Sequence, residues 1–301
     1  MDPSVSGLWA TVLAGGSDRR LAALTGGVPK QFWGFPDRGT LLDTTLARIA
    51  PLVPSRRTVV VIDRAHESYV KRLSNSRSAP RILAQRCDRG TAAGVLLGIM
   101  PALESARDPV VLLTPSDHGV VDTSGFQAAI RAAVIRVGCG FQDAILFGAE
   151  PDTDDDDYGW ITPDPARSAS HSAALWPVIN FVEKPSPAVA VRLRAAGAAW
   201  NTMVLVAKSS TLLGLYRRHL PELTAVFDHA LSLPARTRGA FLDEQYPNLP
   251  AADFCRDVLT SANGIWVHRL PAALGWFDLG TPARLQHWLK GPGASRRSLS
   301  A

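Results

Sequence analysis

Short runs of apolar residues alternate with helix-like patterns through the first half of the chain. Continuous apolar or β-branched runs, typical of buried strands, occupy residues 8–14, 58–63, 81–85, 109–117 and 144–149. Apolar residues recur at helical spacing over residues 40–52, 65–73, 91–106 and 123–137. Pro101 predicts a kink or an end within the third of these helices. Because apolar strands that alternate with helices are typical of βαβ units, the pattern predicts a parallel sheet with helices on both faces.

The second half of the chain is less regular. Acidic residues followed by Ser, Ala and Pro predict a loop over residues 152–177, interrupted by a short strand at 158–162. Further strands are predicted at residues 178–185, 198–207 and 264–270, helices at residues 209–219 and 222–232, and a turn into a closing helix at residues 275–289. Residues 234–248 are interpreted as a connection between elements. The parallel βαβ pattern therefore belongs mainly to the first half.

Length and composition fit one large domain. The chain has 301 residues, of which 46% are hydrophobic and 20% charged, and this is ample for a buried core. No internal repeat or linker divides it. We therefore expect a single α/β domain over residues 1–290, with a doubly wound and mostly parallel sheet. Residues 291–301 are expected to form a disordered tail.

Charge and cysteine usage narrow the class of function. The net charge of +5 comes from scattered basic residues without interleaved aromatic residues, which favours anionic small molecules over nucleic acid as partners. The three cysteines are far apart and lack CxxC spacing, so neither a disulfide framework nor a zinc site is expected. No apolar stretch approaches the roughly 18 residues of a membrane span, and the N-terminus lacks the basic region of a signal peptide. We expect a cytoplasmic protein that does not bind membranes.

Residues 12–33 combine glycines and cations directly after the first predicted strand. Gly15 and Gly16 allow a ligand to approach the backbone, and Arg19, Arg20 and Lys30 can neutralise phosphate oxygens. The stretch matches neither the GxxxxGK[ST] loop nor the GxGxxG fingerprint. Taken alone, it is equally compatible with a phosphate-binding loop and with an ordinary loop between a strand and a helix.

Polar side chains follow several other predicted strands, where open α/β sheets bind their ligands. Asp117 and Asp278 are suited to a divalent metal, although Asp117 can equally cap a helix and Asp278 can stabilise a turn. Glu183 and Asn201 can recognise sugar hydroxyls, and Lys184 can bind a phosphate. Alternatively, Glu183 and Lys184 form an ordinary surface ion pair, and Asn201 is an ordinary turn residue.

Two further features are interpreted as structural. The acidic run Asp154–Asp157 is expected to be a solvated loop rather than a metal site, and His118 is expected to be a structural residue. No Ser-His-Asp or Cys-His grouping suggests a covalent nucleophile. A phosphate-binding loop, metal carboxylates and sugar ligands together favour in-line transfer of a nucleotidyl group, in which the protein positions and neutralises its substrates.

Seven short motifs occur in the order in which the sugar-1-phosphate nucleotidyltransferases carry them. LAGGSDRRLAALTGGVPKQF, residues 13–32, resembles the family pattern LAGGSGTRLWPLS…PKQF. The others are RGTAAG (89–94), PSDH (115–118), YGWI (158–161), VEKP (182–185), WNTMVL (200–205) and GWFDLGTP (275–282). Each motif is short, but the ordered set spans nearly the whole chain. Within the family, the chain most resembles the mannose-1-phosphate guanylyltransferases.

This resemblance implies a Rossmann-like nucleotidyltransferase fold whose irregular second half binds the sugar. It implies transfer from a nucleoside triphosphate, GTP, to a sugar-1-phosphate, mannose-1-phosphate, with Mg²⁺ as cofactor and GDP-mannose and pyrophosphate as products. A homodimer is a candidate assembly. The implied catalytic residues are Arg20, Lys30 and Asp117, and the implied Mg²⁺ ligands are Asp117 and Asp278. The implied nucleotide-binding residues are Gly15, Gly16, Arg20, Lys30, Gln85 and Thr91. The implied sugar-phosphate-binding residues are Gly159, Glu183, Lys184 and Asn201.

Two motifs depart from the family pattern. Asp18 and Arg19 replace Gly-Thr before the motif arginine, and Thr202 and Met203 replace Ser-Gly in the WNSG element. Asp18 puts a carboxylate beside the expected triphosphate and removes a permissive glycine. Two alternatives therefore remain open. One is a transferase of the same fold for another sugar phosphate or base, and the other is a regulatory paralogue that binds sugar nucleotide without turnover.

Overall fold

The structure, a computed structural model, describes residues 7–16, 19–35, 39–74, 79–167 and 174–291. Asp18 and the predicted tail beyond Gly291 lie outside the described residues. The strands in the described part are β1 (Trp9–Ala14), β2 (Gly34–Phe35), β3 (Gly39–Thr40), β4 (Thr58–Asp63), β5 (Arg81–Gln85), β6 (Val110–Pro115), β7 (His118–Val120), β8 (Ala144–Ala149), β9 (Gly159–Pro163), β10 (Leu175–Glu183), β11 (Ala199–Lys208), β12 (Ile265–Leu270) and β13 (Trp276–Asp278).

The helices mostly follow the periodicity of the sequence. They are α1 (Ala22–Thr25), α2 (Leu41–Ile49), α3 (Glu67–Ser74), α4 (Gly90–Ser105), α5 (Thr123–Gly138), α6 (Pro187–Ala195), α7 (Ser209–His219), α8 (Pro221–Ser232), α9 (Ala235–Gln245), α10 (Phe254–Asp257) and α11 (Pro282–Lys290). Helix α4 continues through Pro101 to Ser105, so this proline does not end the helix. The interpretation of residues 234–248 as a mere connection is wrong, because α9 and a 3₁₀ turn at Tyr246–Asn248 occupy them.

Nine of the described strands form one sheet in the order β5-β4-β1-β6-β11-β8-β12-β10-β9. Strands β5, β4, β1 and β6 are parallel, as the βαβ pattern predicts. Strand β11 then runs antiparallel to both β6 and β8, and β10 runs antiparallel to β12 and β9. The sheet is therefore mixed, which corrects the expectation of a mostly parallel sheet. The alternation of strand and helix that predicts parallel pairing does not extend beyond β8.

Side chains on the two faces of the sheet enter two separate hydrophobic cores. In β4, Val59 and Val61 join the core built by α4, α7 and α8, whereas Val60 and Ile62 join the core built by α2, α3 and α5. This alternation follows from the period of two along a strand. Helices thus cover both faces, as predicted. Within the described residues, no helix has the length and apolar character needed to cross a bilayer.

A separate two-stranded sheet forms beside the large one. Strand β13 pairs antiparallel with β7, and Asp278 lies opposite His118 in the register. This pairing brings Asp117, at the end of β6, close to a carboxylate from near the C-terminal end of the chain. The two candidate metal ligands therefore lie at one place, although about 160 residues separate them in the sequence.

Candidate active site

The loop after β1 is fixed by a glutamine from the same sequence motif. The Gln31 amide nitrogen donates hydrogen bonds of 2.8 Å to the carbonyl oxygens of Ala14 and Gly16. A Cβ atom on Gly15 would lie 2.7 Å from Gln85 Nε2, so only glycine fits there without a shift of the amide. The backbone of this loop therefore lies directly against Gln85. Gln31 was not among the predicted site residues, although it belongs to the PKQF motif.

Arg20 lies on a short 3₁₀ turn that follows the loop. Its side chain is exposed, and Nη1 lies 3.4 Å from Asp157 Oδ2. Both partners are about half exposed, and pairs of this kind contribute little to stability. The pair with Asp157 therefore does little by itself to hold the guanidinium in place.

Lys30 is the buried cation of the site. Its side chain is 5% exposed, and Nζ lies 3.1 Å from Asp117 Oδ2 and 3.7 Å from Asp278 Oδ1. The two carboxylates keep 29% and 28% of their surface, so they face the cleft while the ammonium lies behind them. A buried ammonium needs such partners because desolvation of an unpaired charge is costly.

Two converging carboxylates can hold a divalent metal. No group of three or more His, Cys, Asp or Glu side chains with metal-binding geometry occurs in the described ranges. Mg²⁺ does not require one, since it is commonly bound through one or two carboxylates together with substrate phosphates and water. The partial exposure of Asp117 and Asp278 is compatible with this mode of binding. The residues present therefore fit Mg²⁺ bound jointly with a phosphate substrate.

Arg284, from α11, contacts the opposite side of the Asp278 carboxylate. Its Nη1 donates a hydrogen bond of 2.8 Å to Asp278 Oδ2, and its Nη2 forms an ion pair with Asp155. The guanidinium also lies over the Tyr158 ring, 4.3 Å from the ring centroid. A resident cation therefore neutralises one candidate metal ligand. Arg284 was not predicted from the sequence, which indicated only a helix at this point.

Glu183 lies at the end of β10 in a second part of the site. Burial, and next the nearby Asp253 carboxylate, raise its pKa to about 7, against a smaller opposing effect of Lys184. Its Oε2 is buried and has no hydrogen-bond partner among the described residues. A Cβ atom on Gly159 would lie 2.5 Å from this oxygen. An unpaired buried acceptor in contact with a glycine is suited to receive a hydroxyl group from a ligand.

Asn201 lies next to this pocket on β11. Its Oδ1 accepts a hydrogen bond of 3.0 Å from the Met203 amide, and its Nδ2 lies 3.3 Å from Cys255 Sγ. Met203 has a φ angle of +60°, and Lys184 one of +48°. Such values are uncommon for residues with a side chain, and they often occur at functional sites. Lys184 itself is exposed, and its amide donates to the Tyr158 carbonyl at 3.1 Å.

Gln85 and Thr91 have defined partners of their own. Gln85, the last residue of β5, accepts a hydrogen bond of 2.8 Å at Oε1 from the Tyr246 hydroxyl. The Thr91 hydroxyl donates to Asp253 Oδ2 at 2.9 Å and accepts from the Phe254 amide at 2.8 Å. Gln85 thus adjoins the Gly15 loop, whereas the Thr91 hydroxyl is engaged in anchoring the start of α10.

His118 and the acidic run both have partners within the protein. The His118 ring is buried, and Nε2 lies 2.9 Å from Arg48 Nη1. Burial, followed by the charges of Arg48 and Lys30, lowers the pKa of His118 well below its usual value, so the ring is neutral. This agrees with the structural role expected for it. The acidic run is an exposed loop, as expected, in which only Asp155 is partly buried, and three of its carboxylates also form ion pairs: Asp154 with Arg194, Asp155 with Arg284, and Asp157 with Arg20.

Comparison with known proteins gives a consistent family. A family model described as nucleotidyl transferase matches residues 9–289. The mannose-1-phosphate guanylyltransferase of Escherichia coli strain K12 is 28% identical over 282 residues, covering 92% of this chain and 58% of that protein. The alginate biosynthesis protein AlgA of Pseudomonas fluorescens is 28% identical over 285 residues, covering 91% and 56%. The chain therefore spans little more than half the length of these curated relatives.

A solved structure supports the same fold. The protein from Thermus thermophilus described as a mannose-1-phosphate geranyltransferase superposes with a TM-score of 0.79 and 30% sequence identity. The match covers 91% of this chain and 76% of that one. The mixed α/β fold is thus that of a known structural group.

Proposed function

Because the chain belongs to the nucleotidyl transferase family, we propose that it transfers a nucleotidyl group from a nucleoside triphosphate to a sugar-1-phosphate. The proposed substrates are GTP and mannose-1-phosphate, and the products are GDP-mannose and pyrophosphate. The observation that carries the proposal is the approach of Asp117 and Asp278 to the buried Lys30 ammonium. Such a cluster serves to bind and neutralise phosphates, and it needs no covalent nucleophile.

The triphosphate is proposed to bind at the loop after β1. Gly15 and Gly16 leave the backbone accessible there, and Arg20 lies exposed at the edge of the loop. Lys30 supplies a positive charge that is fixed in place before the substrate arrives. In the reaction, an oxygen of the sugar phosphate attacks the α-phosphorus as the bond to pyrophosphate breaks. Arg20 and Lys30 stabilise the charge that develops on the phosphoryl oxygens.

Asp117 and Asp278 are proposed to hold Mg²⁺. When bound, the ion supplies positive charge that neutralises phosphate oxygens and lowers the barrier to displacement. The protein contributes the two carboxylates, and the cations Lys30 and Arg284 pair with them and offset part of their charge. Magnesium and the two ligands are thus one proposal, supported by the donor chemistry of the site.

The sugar is proposed to bind where Gly159, Glu183 and Asn201 meet. Glu183 Oε2 offers an unpaired acceptor for a sugar hydroxyl, and the absence of a side chain on Gly159 leaves room for that carboxylate. Lys184 is exposed beside it and is suited to the sugar phosphate. Gln85 is proposed to contact the nucleotide base, and Thr91 to support that part of the site through α10. A single domain over residues 1–290, a homodimer and a cytoplasmic location stay predictions.

The proposal is tested by pyrophosphate release from the full chain with Mg²⁺. GTP, ATP, CTP, UTP and dTTP are each combined with mannose-1-phosphate and with glucose-1-phosphate. Release that is fastest with GTP and mannose-1-phosphate supports the proposal, and release with another pair keeps the mechanism and changes the substrates. Binding of a sugar nucleotide without release from any pair contradicts it and favours the regulatory paralogue.

Asp117→Asn sharpens this test, with Asp228→Asn as the matched control. Asp228 pairs with the exposed Arg217 on a distant helix surface. We expect Asp117→Asn to abolish metal-dependent release and Asp228→Asn to leave it unchanged. Parent-like turnover by Asp117→Asn contradicts the metal assignment.

A further inference from the structure

Tyr246 connects a distant part of the chain to the predicted nucleotide site. It lies in the 3₁₀ turn after α9, is 2% exposed and packs edge-on against Phe227. Its hydroxyl donates a hydrogen bond of 2.8 Å to Gln85 Oε1. Burial raises the pKa of Tyr246 well above the usual value, so the phenol keeps its proton at physiological pH.

This hydrogen bond fixes which end of the Gln85 amide faces the phenol. The Tyr246 hydroxyl proton has no other acceptor among the described residues. If the Gln85 amide were rotated by about 180°, its NH₂ group would face the phenol. The buried hydroxyl proton of Tyr246 would then have no acceptor in place of Oε1. The arrangement with Oε1 on the phenol is therefore favoured.

The opposite end of the amide faces the loop after β1. Nε2 lies where a Cβ atom on Gly15 would come within 2.7 Å of it, while Oε1 lies on the side of Gly94 and α4. Gln85 thus presents its donor edge toward the loop at which the nucleotide is proposed to bind. Guanine, uracil and thymine carry a carbonyl oxygen where adenine and cytosine carry an amino group. A donor fixed in this orientation can form a hydrogen bond with the carbonyl oxygen of guanine, uracil or thymine. With adenine or cytosine, the Gln85 NH₂ group would face the amino group of the base, and two donors cannot form a hydrogen bond.

We infer that Tyr246 is a specificity-determining residue, which sets the Gln85 amide to select keto bases over amino bases. The inference rests on the proposed function in placing the base of the nucleotide against Gln85. It assigns the selection of the base to Tyr246, which contacts Gln85 on its Oε1 side. Tyr246 acts by positioning, since its hydroxyl contacts the amide and not the substrate.

The test compares kcat/KM for GTP and ATP at saturating sugar phosphate in the full chain. We expect the parent to have a higher kcat/KM with GTP than with ATP. In Tyr246→Phe, we expect the ratio of kcat/KM for GTP to kcat/KM for ATP to fall by about tenfold, mainly because kcat/KM for ATP rises. Parent preference for ATP or CTP, or an unchanged ratio in Tyr246→Phe, overturns the inference.

Tyr216→Phe is the matched control. Tyr216 is also fully buried, and its hydroxyl donates a hydrogen bond of 2.9 Å to the Ala92 carbonyl. It therefore loses a similar bond without contacting Gln85, and its GTP-to-ATP ratio should match that of the parent. If the ratio of kcat/KM for GTP to that for ATP falls equally in Tyr246→Phe and Tyr216→Phe, the inference is overturned. The loss of any buried tyrosine hydrogen bond would then explain the change.

Binding measurements separate this inference from the proposed function. If the parent turns over no substrate pair, the proposed function fails, and dissociation constants for GTP and ATP are compared by calorimetry instead. The inference still requires tighter binding of GTP by the parent and a narrower ratio in Tyr246→Phe. Equal affinities of the parent for GTP and ATP overturn it.

Discussion

The ammonium of Lys30 and the carboxylate of Asp117 lie 3.1 Å apart, with the lysine buried and the aspartate open to the cleft. This order places the fixed positive charge behind the groups that face a ligand. A metal ion therefore meets the carboxylates first, with the ammonium close behind them. The pair also explains why a lysine can be almost fully buried here, since Asp278 lies on the same ammonium at 3.7 Å.

Lys30→Met should remove most of the activity. The two carboxylates would then repel phosphate without a compensating cation, and we expect kcat to fall by about 100-fold or more. Lys71→Met is the control, because Lys71 is exposed in the last turn of α3. Pyrophosphate release measures both variants. An effect of similar size in the control would show that the loss is not specific to the site.

Arg284→Gln should strengthen metal binding. Arg284 neutralises Asp278 through a contact of 2.8 Å, and its removal leaves that carboxylate more negative. We expect the Mg²⁺ concentration for half-maximal activity to fall by about fivefold, the equivalent of roughly 1 kcal/mol. Arg217→Gln, which breaks an exposed pair with Asp228, should leave that concentration unchanged. A rise in the required Mg²⁺ would instead make Arg284 a residue that holds Asp278 in its binding geometry.

Glu183 should make the protein less stable as the pH rises. Its pKa is raised to about 7 in the folded state, chiefly by burial, so the folded protein binds this proton more tightly than the unfolded chain does. Stability therefore decreases with pH from the usual carboxyl pKa of about 4.3 up to about 7 and changes no further above it.

Glu183→Gln removes this titration. We expect the free energy of unfolding at pH 8 to rise by about 1–2 kcal/mol, a figure reduced for the solvent access of the group, with little change at pH 5. Denaturant unfolding at both values measures the difference. Glu244→Gln is the control, since Glu244 is exposed on α9. A gain at pH 5 as large as that at pH 8 would contradict the raised pKa.

Gly159→Ala should impair sugar phosphate binding selectively. The new methyl group would lie 2.5 Å from Glu183 Oε2 and 3.3 Å from the Asn201 Cβ. We expect KM for the sugar phosphate to increase at least about tenfold while KM for GTP changes little. Gly239→Ala in α9 has nothing within 4 Å and should leave both constants unchanged. An equal increase in the two KM values would mean that the pocket does not belong to the sugar.

Part of the site could be predicted because its residues lie in short motifs, some of them at strand ends. Asp117 follows β6 and Glu183 ends β10, whereas Lys30 lies in a 3₁₀ turn and Asn201 within β11. The closeness of Asp117 to Asp278 could not be predicted from the pattern, because it depends on two three-residue strands far apart in the sequence. Such short strands carry too few residues for a recognisable periodicity.

The residues that the sequence missed act through long-range contacts. Helix α9 has no buried residue among its members, so it lacks the apolar stripe that reveals a helix. Tyr246 follows it as a single aromatic residue in a polar segment. Arg284 lies in a helix that was predicted, but its ion pairs with Asp155 and Asp278 depend on the tertiary fold. The mixed sheet also depends on where β11 inserts, which local propensity does not specify.

Strand β11 divides into two parts at Met203. Between Asn201 and Leu205 it advances four residues while its partner β8 advances two, from Gly148 to Leu146. The half that follows packs in the sheet interior, where any side chain of suitable volume serves. The half that precedes holds Asn201 in a fixed orientation for hydrogen bonding. A substitution after Met203 therefore acts mainly on the packing of the sheet, whereas a substitution before it can act on the Asn201 amide that is proposed to meet the sugar, so sheet packing and substrate choice depend on different halves of one strand.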